Sequence, residues 1–225
     1  MKNDPVGALL EVLELADSEA RTHEDIFTGV SHYMSSGRIF GGQVLSQSLV
    51  AAARTVPDDR RVHSMHGYFL RAGDATKGLT FAVDRIHEGR SFTTRRTQAY
   101  QDGVPIFSMI ASFQVEAPGL EHQIPMPEGV PEPETLTDLG LHLDELSATD
   151  RLRWDNRPFE FRHVTTPLYR SAEGPHQPSQ MVWMRARRPL PDDPRLHRAA
   201  LAYASDSTIQ ESILRAHGLA WLTKG

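Results

Sequence analysis

The distribution of apolar and polar residues over the first half of the chain predicts one long helix followed by strands. In segment 41–55, Leu45, Leu49 and Ala52 recur at the spacing that gives a helix one apolar face. Strands are predicted where apolar and polar residues alternate between turn residues, namely over 62–70, 79–87, 91–100 and 104–115. A shorter amphipathic helix is predicted over residues 5–16.

The order of these elements indicates how they are arranged. Asp102-Gly103, between the last two strands, is a strong signal for a type I′ turn and predicts a hairpin. One long helix followed by an antiparallel meander is the order of a hotdog fold, in which a sheet wraps round one helix. We therefore predict an α+β chain whose residues 1–117 form a hotdog unit.

The second half of the chain repeats this order in a weaker form. Residues 118–153 are predicted to be a linker, because five prolines fall between residues 116 and 135. The elements predicted after the prolines are a polar helix over 136–153, strands over 158–165 and 180–187, and a helix over 195–214. We interpret residues 154–225 as a partial second hotdog unit, so the predicted fold is a double hotdog.

The second predicted unit is incomplete at its C-terminal end. After its helix, only residues 219–222 have a strand-like pattern before the numbering ends at Gly225. Ile209, Ile213 and Leu214 would then lack the sheet that covers a hotdog helix, at roughly 1.5–3 kcal/mol for each side chain left in water. We expect these side chains to be covered by residues outside this numbering or by a neighbouring chain, and we predict a homo-oligomer.

The composition favours a globular protein and excludes several chemistries. Hydrophobic residues make up 39% and charged residues 24% of the 225 residues, which is ordinary for a soluble protein. The formal net charge of −5 argues against general nucleic-acid binding, and no apolar run is long enough for a membrane span. The absence of cysteine excludes disulfides, thiolate metal sites and a cysteine nucleophile. We predict a cytoplasmic protein.

Several motifs occur in an order and at spacings that resemble one enzyme family. They are Gly41-Gly42-Gln43, the segment 62–71 with Gly73-Asp74, Gly89-Arg90-Ser91-Phe92, Ala111-Ser112-Phe113-Gln114, and Leu201-Ala202-Tyr203-Ala204-Ser205-Asp206. Together they resemble the type II acyl-CoA thioesterases, from about residue 5 to the end of the chain. The resemblance implies two fused hotdogs that hydrolyse an acyl-CoA thioester to a free fatty acid and coenzyme A.

The resemblance also implies roles for individual residues. Asp206 is implied to orient and deprotonate the attacking water, together with a hydroxyl residue and a glutamine from beyond the numbering. The implied substrate-binding residues are Gly41, Gly42, Gln43 and His63. The glycines would let a thioester carbonyl approach the free N–H groups of a helix start, which carry partial positive charge. Hydrolysis of this kind needs no metal and no cofactor.

Without the resemblance, the same residues allow simpler interpretations. A carboxylate such as Asp206 in an apolar helical segment is costly unless it is paired or used, but a solvent-facing or hydrogen-bonded aspartate is the commoner case. His63 and His66, three apart in a strand, are predicted to point to opposite faces, which argues against a joint metal site. Four arginines near strand ends suit the phosphates of coenzyme A, although such residues are usually solvated: Arg71, Arg90, Arg95 and Arg96.

Two other functions remain open at this point. One is a hotdog hydratase or dehydratase that acts on the acyl chain of a coenzyme A thioester, which needs an Asp–His pair that we do not find after a helix start. The other is a non-catalytic acyl-CoA binder, or half-enzyme. The motifs of a serine nucleophile elbow, a phosphate loop and a dinucleotide site are absent from the sequence. Water attack directed by a carboxylate therefore fits the residues better than covalent catalysis.

Overall fold

The computed structural model describes residues 4–18, 23–32, 34, 36–137, 155–168 and 177–221. The chain forms two compact units, each made of more than one stretch of sequence. The sheet unit comprises residues 7–120 and 190–206, and the smaller unit comprises residues 1–6, 121–189 and 207–225. Within the described ranges, no helix combines the length and the apolar character needed to cross a membrane.

The helices and strands follow one another along the chain in two groups. Up to residue 115 they are α1 (Pro5–Leu13), β1 (Ala16–Asp17), β2 (Asp25–Gly29), α2 (Gly41–Arg54), β3 (Arg60–Phe69), β4 (Leu79–Glu88), β5 (Phe92–Gln101) and β6 (Val104–Val115). After a 3-10 turn at Pro133–Thr135 they are β7 (Phe159–His163), β8 (Val182–Ala186), α3 (Pro194–Ser205) and α4 (Glu211–Ala216).

The sheet unit consists of a six-stranded antiparallel sheet with α2 packed against one face. The strand order is β1-β2-β4-β5-β6-β3, and α2 contacts β3, β4, β5 and β6. The long helix and the four strands predicted from the sequence are all present, with ends that differ by one or two residues. A single helix against an antiparallel sheet of this order is the hotdog arrangement.

The core of the sheet unit lies between α2 and the strands. Phe107, Met109 and Phe113 occupy alternate positions of β6 and are almost completely buried, as strand periodicity requires. Ala51 and Ala52 of α2 are also fully buried, and their small side chains let the helix approach the sheet closely. Each large apolar side chain buried here contributes roughly 1.5–3 kcal/mol, so this core fixes α2 on the sheet.

The turn between β5 and β6 has the predicted conformation. Asp102 and Gly103 both have positive φ, at 49° and 76°. A type I′ turn requires positive φ at both central residues, which aspartate and glycine tolerate better than most residues. The predicted hairpin is therefore confirmed.

Two strands at one edge of the sheet were not predicted. β1 has two residues and β2 has five. Of the residues in β2, only Phe27 is buried, and Asp25 and Thr28 are polar. The segment is therefore too short to show an alternating pattern, and its pairing with β4 defines it as a strand.

The helix predicted over 195–214 is two helices. α3 ends at Ser205, α4 begins at Glu211, and the residues between them form turns and bends. Ser207 and Thr208 favour such conformations, because their hydroxyl groups compete for backbone hydrogen bonds within helices. The break places Asp206 at the C-terminal cap of α3 instead of inside a helix.

α3 belongs to the sheet unit, whereas the sequence interpretation placed it in a second hotdog. It packs against α2, and its Ala202 is part of the same buried cluster as Leu49. Other small residues of α3, Ala199 and Ala200, are also buried. The two compact units of the structure therefore divide the chain differently from the predicted boundaries at 117 and 153.

In the smaller unit, the two predicted strands are present and pair with each other. β7 and β8 are antiparallel, with Phe161 opposite Met184. Leu219 and Trp221 are not in a strand, contrary to the prediction, and the N–H of Trp221 donates to the carbonyl of Leu168. Leu222 and most of the helix predicted over 136–153 lie outside the described residues.

The apolar residues around α4 show the exposure that the sequence led us to expect. Ile209 is 68% exposed, Ile213 is 61% exposed, and Leu214 is half-buried. The described part of the chain thus leaves both isoleucine side chains uncovered. Their coverage by other residues or by another chain stays a prediction.

Candidate active site

The residue before α2 does not cap the backbone N–H groups of the first helical turn. Phe40, the residue before the helix, has an extended conformation and makes no capping hydrogen bond through its side chain. The N–H of Gly41 has no hydrogen-bond partner among the described residues. Helix starts of this kind carry partial positive charge and bind anions or polarised carbonyl oxygens.

Asp206 lies at this helix start. Its Oδ2 accepts a hydrogen bond from the N–H of Gly42 at 2.9 Å, across 164 residues of sequence. The carboxylate is half-buried, and this burial raises the pKa of Asp206, while the hydrogen bond from Gly42 opposes the rise. Among the described residues, Oδ1 of Asp206 has no hydrogen-bond partner. The structure therefore brings together the predicted catalytic carboxylate and two of the predicted substrate-binding residues.

A side chain at either of the two positions where α2 begins would crowd its neighbours, most severely at Gly42, where it meets backbone. A Cβ atom on Gly41 would lie 2.7 Å from Oδ2 of Asp206 and 3.1 Å from the ring of Phe69. On Gly42 it would lie 2.3 Å from the carbonyl oxygen of Tyr203 and 2.5 Å from the ring of Phe40. The sequence identified the glycines as a place where a substrate approaches the backbone, and the structure shows that α3 also approaches the backbone there.

A cavity of about 340 Å³ opens beside Gly41. Its apolar lining includes Ile39, Val44, Phe69 and Ile106. Gly41, whose N–H is free, lines this cavity, and apolar walls with few polar groups are typical of substrate sites. The ring of Phe69 lies against Gly41, which could not be read from the sequence.

The side chain of Gln43 does not face this cavity, which corrects its predicted role in substrate binding. It is completely buried, and its Oε1 accepts from the N–H of His32 at 3.1 Å. Its Nε2 donates to the carbonyl of Val30 and to Oε1 of Gln47, both at 3.1 Å. Gln43 therefore holds the segment after β2 against the first turn of α2, and a buried amide with all these partners is not available to a ligand.

His63 also lies away from the start of α2. Its ring is exposed, forms a hydrogen bond with the hydroxyl of Ser112 at 2.9 Å and contacts the ring of Phe92 edge-on. None of its hydrogen bonds or ring contacts reaches Gly41 or Asp206. The prediction that His63 binds substrate near the helix start is therefore not supported by its position.

A β-bulge explains why the sequence spacing predicted the wrong strand faces for the two histidines. The pairing of β3 with β6 shifts register between Val62 and Ser64, so His63 is an extra residue in the strand. Both His63 and His66 are consequently exposed, although their spacing predicted opposite faces. Within the described parts of the chain, no group of three His, Cys, Asp or Glu side chains is arranged to hold a metal ion.

Two of the four arginines near strand ends have clear positions. Arg95 is fully buried, and its guanidinium binds the side chain and carbonyl of Thr55 and the carboxylate of Glu88. It is therefore not available to a phosphate. Arg71 is exposed, lines the cavity beside Gly41 and donates to the carbonyl of Pro105 at 2.7 Å.

Comparison with known proteins shows the same family over both halves of the chain. The family model described as the acyl-CoA thioesterase N-terminal domain matches residues 30–114, and the model described as acyl-CoA thioesterase matches residues 152–225. Human acyl-coenzyme A thioesterase 8 is 36% identical over 231 residues, which cover 96% of this chain and 72% of the relative. Acyl-CoA thioesterase 2 of Haemophilus influenzae is 34% identical over 229 residues, which cover 99% of this chain and 78% of the relative.

A solved structure supports the same assignment. The crystal structure of an acyl-CoA thioesterase II from Mycobacterium marinum superposes with a TM-score of 0.70 at 40% sequence identity, covering 93% of this chain and 71% of that chain. Fold and site thus define a hotdog enzyme with a carboxylate at the start of its central helix. The chain belongs to the acyl-CoA thioesterase family, and the predicted family, fold class and enzyme class are confirmed. It spans between 64% and 78% of the length of the curated relatives that match most of it.

Proposed function

We propose that this chain hydrolyses acyl-CoA thioesters at the start of α2, with Asp206 as the general base. The observation that carries the proposal is the position of the Asp206 carboxylate on the N–H of Gly42, next to the unpartnered N–H of Gly41. The carboxylate supplies a base, and the helix start supplies positive charge where the thioester oxygen becomes negative. The thioester hydrolases among the relatives support the reaction class.

The two glycine N–H groups have different tasks in this mechanism. The Gly42 N–H holds Oδ2 of Asp206, so it orients the base. The Gly41 N–H is left to donate to the thioester oxygen, and it is strengthened by the other N–H groups of the first turn. In this mechanism the N–H of Gly41 polarises the thioester carbonyl directly, and the N–H of Gly42 does not. The simpler expectation gave that task to all N–H groups at the helix start.

The reaction follows from these positions. Oδ1 of Asp206 accepts a proton from a water molecule as the water oxygen attacks the thioester carbon. The negative oxygen of the tetrahedral intermediate is stabilised by the Gly41 N–H. When the carbonyl re-forms, the carbon–sulfur bond breaks, and the sulfur of coenzyme A leaves with the proton that Asp206 had taken. The products are a free acid and a thiol, and the base is restored.

The electrostatic environment of Asp206 suits a base of this kind. Burial raises the pKa of Asp206 above its ordinary value, which brings the pKa nearer to neutrality and strengthens proton acceptance. The deprotonated form is the active one. Turnover is therefore expected to rise with pH through the raised pKa of Asp206.

The test is the release of thiol from acyl-CoA by the purified chain. The Asp206→Asn variant keeps the acceptor for the Gly42 N–H but cannot take a proton, so turnover should fall by about 10²–10⁴. Asp84→Asn is the matched control, because Asp84 lies in β4 and pairs with Arg96, away from α2. Near-normal turnover in Asp206→Asn would exclude Asp206 as the base.

The same assay distinguishes the two alternative functions. An acyl-CoA binder would bind the substrate without releasing thiol. A hydratase would add water to an enoyl-CoA, which removes the enoyl absorbance and leaves the thioester intact. Release of thiol from saturated acyl-CoA by the unmodified chain, and not by Asp206→Asn, supports hydrolysis over both.

Further properties of the protein remain part of this proposal. We propose acyl-CoA as its substrate, a cytoplasmic location and a homo-oligomeric state. The acyl-CoA substrate is supported by the names of the relatives. The location is consistent with a chain that has no cysteine and so needs no oxidising compartment to form disulfides.

A further inference from the structure

α2 and α3 run antiparallel, so the start of each helix lies beside the end of the other. The two ends of this helix pair carry side chains of opposite charge. At one end, Asp206 follows α3 and binds the N–H of Gly42 at the start of α2. At the other end, the guanidinium of Arg195 in the first turn of α3 donates to the carbonyl of Val56, just after α2, and to Asp58 at 2.5 Å. The first end carries a carboxylate, and the second carries a guanidinium.

A second cavity, of about 430 Å³, opens at the basic end within the sheet unit. Its apolar lining includes Leu49, Val62, Phe113 and Leu196. A cavity of this size lies within the range of roughly 300–1,000 Å³ that small-molecule sites occupy. Gly41, Gly42 and Asp206 do not line it, and its first lining residue on α2, Leu49, lies seven residues after Gly42, about 10 Å along the helix at 1.5 Å per residue. It is therefore a site distinct from the catalytic end.

The rim of this cavity is basic. Five arginines and two acidic residues line it: Arg54, Arg60, Arg61, Arg195 and Arg198, with Glu14 and Asp193. Four of the arginines form ion pairs, namely Arg54 with Glu14, Arg60 with Asp59, Arg61 with Glu116 and Arg195 with Asp58. Two arginines are best placed to serve a ligand: Arg198, which is outside these pairs, and Arg60, whose pair at 3.9 Å is the longest of the four.

Arg60 and Arg198 retain hydrogen-bond donors for an anion. Arg198 donates to the carbonyl of Pro194 and forms no ion pair with any described residue. Arg60 donates to the carbonyls of Gly89 and Arg90 and to Thr93. Its Nε is buried, has no hydrogen-bond partner within the described ranges and forms only a long ion pair with Asp59, at 3.9 Å. A buried donor without a partner is rare in proteins and marks a position where an acceptor is missing.

We propose that this cavity binds a free fatty acid. The alkyl chain lies on the apolar lining, and the carboxylate accepts hydrogen bonds from Arg60 and Arg198. Guanidinium groups form strong, charge-assisted hydrogen bonds with carboxylates, and an apolar floor beneath them selects an anion with a hydrocarbon tail. A free acid is also what the proposed hydrolysis releases, so the site would bind the product class of the enzyme.

The experiment measures binding directly and needs no turnover, so its failure is separable from failure of the proposed hydrolysis. Decanoate is titrated into the full chain by calorimetry, with decanol as the uncharged comparison and decyl phosphate as the alternative head group. We expect decanoate to bind saturably at one site per chain. Decanol should bind at least about tenfold more weakly, since it lacks the charge that the arginines recognise.

Substitutions of residues that line the cavity test whether decanoate binds there. Arg198→Gln should weaken decanoate binding about tenfold, as expected for the loss of one charge-assisted hydrogen bond. Ala53→Phe, which places a large side chain in the cavity lining, should abolish it. Arg96→Gln is the matched control, because Arg96 is an exposed arginine of the same unit that pairs with Asp84 and does not line the cavity. Thermal unfolding of each variant verifies that it is folded.

Several results would overturn the proposal. Equal binding of decanoate by Arg198→Gln, Ala53→Phe and the unmodified chain would show that the acid binds elsewhere. Loss of binding in Asp206→Asn, with no effect of Arg198→Gln, would place the acid in the catalytic cavity. Tighter binding of decyl phosphate than of decanoate would assign the head group to a phosphate, and the absence of saturable decanoate binding would leave no fatty-acid site.

Discussion

At the scale of single residues, the most consequential contact is the one between Asp206 and Gly42. The carboxylate is half-buried at the cap of α3, and one backbone N–H compensates for only part of the water that it loses. Its raised pKa shows that the fold favours the protonated form relative to the unfolded chain. A partly buried carboxylate held in this way works against the stability of the folded state.

We predict that Asp206→Asn stabilises the protein at neutral pH while it lowers activity. Asparagine keeps the oxygen that accepts from Gly42 but has no charge to desolvate. We expect a gain in the free energy of unfolding, because burial of the charged carboxylate raises the pKa of Asp206 and asparagine removes that charge. Denaturant unfolding of both proteins at a series of pH values measures it.

The sign of the pH dependence follows from the direction of the shift. Because the pKa of Asp206 is raised in the fold, its contribution to stability is complete below the ordinary aspartate value of 3.8 and is lost as pH rises through the raised pKa. The difference between variant and unmodified protein should therefore vanish in acid and grow towards neutral pH. A variant that is less stable at neutral pH would contradict this account.

At the scale of elements, the end of α2 is held by a buried arginine. Arg95 of β5 donates to the hydroxyl and the carbonyl of Thr55, which immediately follows α2, and to the carbonyls of His87 and Thr94. It also binds Glu88, whose side chain is half exposed. The guanidinium thereby connects the last turn of α2 to β4 and β5, at the end of the helix opposite to Asp206.

Arg95→Lys should destabilise the protein by about 1–3 kcal/mol, because an ammonium group cannot reach all these acceptors and leaves some of them buried without a partner. Arg96→Lys is a close control, since Arg96 is the next residue and forms only an exposed pair with Asp84. We expect that change to stay within about 0.5 kcal/mol. Chemical denaturation measures both, and equal effects of the two substitutions would show that the buried hydrogen bonds contribute little.

The elements that could be predicted from sequence are those with a long local pattern. α2 and strands β3 to β6 each extend over ten or more residues. The residue types of Asp102-Gly103 are sufficient to predict the turn between β5 and β6. β1 and β2 depend on pairing with β4, and the break before α4 depends on turn-forming residues within an otherwise helical pattern. Tertiary contacts, which a local pattern does not record, therefore decided β1 and β2.

The site could be predicted only in part, for the same reason. Asp206, Gly41 and Gly42 are brought together as the resemblance implied, but the hydrogen bond between them joins residues 164 apart. Gln43 lies next to the glycines in sequence, yet the helix turns its side chain into the core. A bulge moves His63 to the exposed face of its strand, and no residue type in the sequence signals that bulge.

At the scale of the whole molecule, the sheet unit exposes apolar surface along one edge. β3 pairs with β6 on one side and with no other strand that the structure describes. Its exposed residues include Tyr68 and Phe69, and Ile110 on β6 is exposed beside His66. Apolar surface next to an unpaired strand edge is typical of surfaces that bind another chain.

We predict that the purified chain is a homo-oligomer that uses this edge. Light scattering should give the mass of at least two chains, and Tyr68→Glu should shift it towards one chain, because a buried unpaired carboxylate opposes association. Leu120→Glu is the control, since Leu120 is an exposed apolar residue outside every strand. A single-chain mass at all concentrations would contradict the prediction.

The sheet unit is made of two separate stretches of sequence, and this affects the order in which its parts form during synthesis. Residues 7–120 contain the whole six-stranded sheet, α2 and both glycines, and they leave the ribosome well before α3. Closing a loop between segments so far apart is slow compared with local pairing. During synthesis, we therefore expect the nascent chain to pass through a stage with a formed sheet but without Asp206, so that the proposed site is complete only when residues 190–206 dock.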